Sequence, residues 1–169
     1  MACSTKPSPA RIVNFVDEEV GVTVTQDEWH AMRVLAVREE GGTGSRRVAT
    51  PEEVTESLVS FTNVIASDLG YNTSPEEDDY GNRASVLIPD FYGEWLNPSD
   101  EELDNITASG HADYYEKCIE FEKSMKSMKV TKGTCEVMNY ISEFGIEQAL
   151  EQAREEIKNQ KKNKKSQAA

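Results

Sequence analysis

An all-α fold, a compact bundle of six to seven helices, is predicted by two features of this 169-residue sequence. Four segments open with a hydroxyl residue followed three positions later by Glu: Thr25-Gln-Asp-Glu28, Thr50-Pro-Glu-Glu53, Ser74-Pro-Glu-Glu77 and Ser99-Asp-Glu-Glu102. Each matches the capping box, in which the hydroxyl accepts from the amide three residues on and the Glu reaches back to the cap amide. Around these starts, apolar residues recur once per helical turn.

The elements follow in order. Residues 9–20 carry Ile12, Val13, Val16 and Val20 on one side, a β-branched set that lowers helix propensity without forbidding a helix. From Gln26 to about Glu39, Trp29, Met32, Leu35 and Ala36 share a face, and Gly41-Gly42 stops the helix. From Pro51 to Leu69 the apolar positions are Val54, Leu58, Phe61, Ile65 and Leu69, with Gly70 available as a left-handed cap. Segment 71–98 breaks the pattern. It holds three Pro, two Gly, the run Glu76-Glu-Asp-Asp79 and five of the thirteen aromatic residues. It is expected to be long and irregular, with a turn or short helix near residues 91–96. A short helix then runs from the Ser99 cap to Gly110. Residues 111–129 show Tyr114, Cys118, Phe121, Met125 and Met128 in a 4-3-4-3 seam suited to packing on another helix, within the chain or across a dimer. Val137, Met138, Ile141 and Phe144 mark a helix over 134–144, which Gly145 breaks. Ile146, Leu150, Ala153 and Ile157 mark the last, ending near Lys158. The termini, 1–8 and 159–169, are expected to be disordered, leaving one domain over 9–158 with a possible subdivision at 71–98.

Charge is unevenly placed. The formal net charge is −13, yet five Lys and no acid occupy the stretch from Lys158 to the end, so the remaining body carries about −18. Such a body repels phosphate backbones and favours basic partners or a basic patch on another copy of itself. No apolar run reaches the ~18 residues a membrane span needs, and no leader-like stretch opens the chain, so a soluble cytoplasmic protein without membrane contact is expected.

Residues suited to chemistry are few. His30 and His111 lie far apart and belong to no metal-binding spacing. Cys3, Cys118 and Cys135 fit neither a disulfide framework nor a Cys-x-x-Cys site. Glu76 to Asp79 fails the calcium-loop pattern, since no Glu falls at the twelfth position. No catalytic residue, cofactor or metal is therefore expected, and the chain is not expected to be an enzyme. Two candidate surfaces remain. Tyr80, Phe91, Tyr92 and Trp95 in the acidic aromatic segment could engage a partner, since such side chains give large contact area at low entropic cost. The loop Gly41-Gly-Thr-Gly-Ser-Arg-Arg47 could turn amides toward a phosphate, aided by Arg46, Arg47, Arg33 and Arg38, although it lacks the Lys and spacing of a phosphate-binding P-loop.

These observations favour a non-catalytic protein-interaction or self-assembly subunit with an acidic body and a basic tail, its partner a protein or itself. The alternatives are a coat or nucleoprotein subunit of a viral helical filament, meeting nucleic acid only through a local basic patch, and an acidic inhibitor that imitates nucleic acid. The stretch from Thr25 to Pro75, a Trp-bearing helix followed by a Thr-Pro-Glu-Glu helix, resembles part of the coat proteins of flexible filamentous viruses. It spans under a third of the chain and includes no diagnostic motif, so the family is not assigned on it.

Overall fold

The computed structural model describes residues 8–69, 100 and 112–168. Among them it is all-α, with six helices: α1 (Ser8–Val20), α2 (Gln26–Glu40), α3 (Pro51–Asp68), α4 (Ala112–Lys126), α5 (Lys132–Phe144) and α6 (Ile146–Ala168). Segment 71–98, the Ser74 and Ser99 caps and the helix expected to end at Gly110 lie outside the described residues.

The two describable capping boxes form as expected. Thr25 accepts from the Glu28 amide while Glu28 returns to the Thr25 amide, and Thr50 and Glu53 repeat the arrangement at α3. Gly41 ends α2 at φ 72°, a left-handed conformation that glycine adopts without steric penalty. Two boundaries differ from expectation. Helix α5 begins at Lys132 rather than Thr134, because the Thr131 hydroxyl accepts from the Thr134 amide and so caps a turn earlier. The backbone of 159–168, expected to be disordered tail, continues α6. No Gly or Pro interrupts it, and lysines suit the negative end of the helix dipole.

Helix α3 lies at the centre, packed on α1, α4 and α5. Its Leu58, Phe61 and Ile65 are fully buried, as the periodicity predicts. The seam on α4 is used within the chain: Tyr114, Cys118, Phe121 and Met125 are all buried against α1 and α3. Phe15, which the α1 pattern did not single out, is the hub of an aromatic cluster. Its ring stacks on Phe121 with centroids 4.2 Å apart, and it meets Phe61 and Tyr114 at tilted angles 6.3 and 6.1 Å away. The Tyr114 hydroxyl donates to the Thr62 carbonyl at 2.9 Å, so this cluster buries its one phenol with a partner.

On the other side, α2 and α6 pack together and α5 fills the space between α2 and α3. The connection from α2 to α3 lies along the start of α5. Ala49 N–H donates to the Val130 carbonyl (2.7 Å), Lys132 N–H to Arg47 (2.8 Å) and Gly133 N–H to Ser45 (2.9 Å). A Cβ at Gly133 would stand 3.1 Å from the Ser45 carbonyl oxygen, so a side chain there would push the loop away.

Candidate functional site

The Gly-rich loop does turn its amides toward an anion, and that anion is internal. Thr43 N–H donates to both Glu136 carboxylate oxygens at 3.0 Å, the Thr43 hydroxyl donates at 2.8 Å, and Gly44 N–H donates at 2.8 Å. Burial opposes the charge on Glu136, but these bonds and nearby Lys132 hold its carboxyl below the usual carboxylate range. The nest predicted for phosphate is thus filled by a side chain of α5.

The four arginines proposed beside it are also distributed among internal partners. Arg33 donates to the Gly44 carbonyl at 3.0 Å and braces the loop from below. Arg38 grips Glu156 of α6 with two donors (2.6 and 3.3 Å) and touches Glu39 (2.9 Å). Arg47 makes a two-pronged pair with Glu53, both contacts at 3.0 Å. Arg46 is exposed and makes no ion pair among the described residues. A phosphate bound here would have to displace Glu136 and compete for Arg38 and Arg47, leaving Arg46 as the one readily available cation of the four. His30 is exposed, and His111 lies outside the described residues. Tyr80, Phe91, Tyr92 and Trp95 lie outside them as well.

Further carboxylates that composition alone could not sort prove to be internal struts. Glu28, buried at the start of α2, combines its capping bond with a 2.8 Å contact to Arg154 of α6. Burial disfavours its charge, yet the Thr25 amide and Arg154 together keep its carboxyl below the normal range. Glu156 is held low chiefly by Arg38. Glu53 is held well below the normal range by Arg47 first, then by its cap amide and by Lys132 at 3.3 Å. Glu122, almost fully buried on α4, is the opposite case: burial raises its carboxyl, only partly countered by Lys126 at 2.9 Å.

A second feature was not anticipated from the sequence. Helices α3 and α5 run side by side in the same direction. Lys132 meets Glu53 at their N-terminal ends, while the Asp68 carboxylate accepts from the Ile146 amide at their C-terminal ends. Between them lies an open groove of about 650 Å³. Its walls are hydroxyls and amides, Ser57, Ser60, Asn63, Ser67, Asn139 and Ser142, edged by Glu53, Glu56 and Glu143. The signal was present as a small-polar stripe at helical spacing, Ser57, Ser60, Asn63 and Ser67, on the face of α3 away from its apolar stripe.

A separate, smaller cavity between α2 and α5 shares Asn139 and Glu143 with the groove, and there Glu40, at the C-terminal end of α2, faces Glu143. Hydrogen bonding to Glu143, some burial and the charges of Glu143 and Glu39 all raise the Glu40 carboxyl. Tyr140 beneath them is pushed up to about 12, first by burial and then by Glu40, Glu39 and Glu143. Among the described residues Glu40, Glu56 and Glu143 have no basic partner within ion-pair distance. The same residues include no group of three or more side chains placed to hold a metal, and no helix long and apolar enough to cross a membrane. Compared with known proteins, the chain matches no family model, no curated protein and no solved structure.

Proposed function

We propose that this chain is a non-catalytic helical subunit that assembles with itself, an acidic body on one copy engaging the basic helix end of the next. The observation that carries this reading is the geometry of α6. Its buried residues, Ile146, Ala149, Leu150, Ala153 and Glu156, fix one face on the bundle. At about 3.6 residues per turn, positions 158, 161, 162 and 165 fall together on one side of the helix, flanking the buried face. All four are lysines, and Lys158, Lys161 and Lys162 are exposed. From Glu156, the last buried residue among those whose side chains are described, to Ala168 the helix extends a further ~18 Å at ~1.5 Å per residue. A cationic rod projecting from a body of about −18 is self-complementary in a head-to-tail sense. A head-to-tail contact closes into a ring or propagates as a filament.

The internal pairing of Arg38, Arg47 and the loop amides supports this reading over phosphate or RNA recognition, because those groups are already committed. The reading takes the cytoplasm as the place of action, where the buried thiols of Cys118 and Cys135 stay reduced. Light scattering coupled to size-exclusion chromatography tests it. Association is expected at about 0.02 M salt and dissociation at about 0.5 M, where screening is nearly complete within a few ångströms. A chain ending at Ile157 is expected to be monomeric in both. A full-length protein that remains monomeric at low salt overturns the reading.

A further inference from the structure

We infer that the receptor for the lysine face of α6 is the groove between α3 and α5 of a second copy, with Glu56 and Glu143 as the receiving carboxylates and Glu40 adjoining Glu143. The inference rests on the self-assembly reading above and adds the place where the two copies meet. Three independent observations point to a cationic, hydrogen-bond-donating occupant.

The first is the electrostatic imbalance of the groove. Its own cation, Lys132, is consumed by Glu53, while Glu40, Glu56 and Glu143 have no basic partner among the described residues. Two of these acids sit at helix C-terminal ends, Glu40 closing α2 and Glu143 in the last turn of α5, where the partial negative charge of the backbone adds to their own. Ammonium groups placed between them relieve both repulsions.

The second is the chemistry of the walls. Hydroxyls and side-chain amides offer acceptors along the groove. An apolar helix would leave these groups unsatisfied, whereas a lysine- and asparagine-rich one supplies donors to them.

The third is form. The groove is straight because two parallel helices make it, and the lysines that would enter it recur at i, i+3, i+4 and i+7 on one helix. Their spacing delivers charge repeatedly along one line, which is what a groove edged by Glu56 near one end and Glu143 near the other requires. The α6 helix of the same copy is unavailable for this, because its buried face holds it on α2.

A charge-swap experiment decides the matter. Glu56 and Glu143 are exposed, so the pair Glu56→Lys/Glu143→Lys is expected to keep the helical circular-dichroism spectrum while raising the low-salt dissociation constant at least tenfold, roughly the effect of losing one good charge pair. Lys161→Glu/Lys162→Glu is expected to do the same. Mixing the two variants in equal amounts is expected to restore association, since each groove then meets a tail of opposite charge. If the groove reversal loses helicity, Glu56→Gln/Glu143→Gln takes its place and is expected to weaken association severalfold. Carbodiimide treatment of the wild-type protein, mixed from isotopically light and heavy chains, is expected to yield light–heavy cross-links between Lys161 or Lys162 and Glu56 or Glu143. Association that depends on the tail but is indifferent to both groove variants leaves self-assembly standing and overturns the groove as its receptor. A wild-type chain that does not associate at all removes both.

Discussion

Where α1 meets α3 and α4, the chain is held by stacked rings. Where the connection between α2 and α3 meets α5, it is held by one carboxylate and a few amides. In the first region Phe15, Phe61, Phe121 and Tyr114 contact one another with no ionised side chain among them, apart from the Arg11 guanidinium 5.2 Å above the Phe121 ring. In the second, Glu136 satisfies Thr43 and Gly44, and Glu53 joins Arg47 to Lys132. The difference lies in what each region responds to. Apolar burial involves no titrating group and no charge for salt to screen. Charge-assisted hydrogen bonds fail with the proton, and exposed ion pairs weaken with salt.

The contrast can be broken at its strongest point first. Phe121→Ala removes the ring stacked on Phe15 and is expected to lower the unfolding free energy by about 3–5 kcal/mol. Urea titration should give that loss equally at low and high salt. Glu136→Gln keeps the shape of the side chain but removes the charge that three donors share. A loss of about 1–3 kcal/mol is expected, with faster hydrogen exchange at the Thr43 and Gly44 amides and little change in the α4 core.

Acid sharpens the comparison. Glu28, Glu136 and Glu156 have carboxyls held below their ordinary values in the folded chain. Their contribution is complete above the unfolded carboxyl range, near pH 4.3, and is lost as pH falls through their lower folded values. Glu122, Asp68 and Glu40 work in the other direction. Their raised carboxyls take up protons more readily when folded, so acid relieves part of their strain. Glu53, held furthest below its ordinary range, joins the first set, so thermal melts between neutral pH and about pH 3 should show a net fall in stability. That fall should be shallower in Glu136→Gln and unchanged in slope in Phe121→Ala.

Smaller effects follow. Thr50→Ala removes the hydroxyl that caps α3 and is expected to lower stability by about 1 kcal/mol. Arg46→Ala, touching no ion-pair partner among the described residues, is expected to change it by less than about 0.5 kcal/mol. A larger loss there would mean that the loop depends on Arg46 in a way its neighbours do not reveal.

The helical elements were legible because their determinants are local. The Thr25 and Thr50 caps, the Leu58–Phe61–Ile65 face and the α4 seam are each written within about one to four turns of chain. Phe15 escaped notice because the β-branched residues of α1 already complete a periodic face, and the sequence gives no sign that one ring will meet three others. The carboxylate struts escaped for a different reason. Among 31 acids, nothing near Glu136 or Glu156 distinguishes it, since its partners lie 93 and 118 residues away. The groove is not legible in the sequence because serine and asparagine on a helix read as ordinary solvated positions until a second helix is laid beside them.

The span from Thr43 to Glu136 also sets an order on biosynthesis. A nascent chain that has delivered only α1 to α3 possesses the turn but not the acid that fastens it. That stretch stays unlatched until more than half the polypeptide has followed. Closing so distant a contact is slow compared with winding the individual helices. The junction between the second and third helices is therefore fastened only after the fifth helix has been made, and until then the turn is open to proteolysis in a stalled or truncated product.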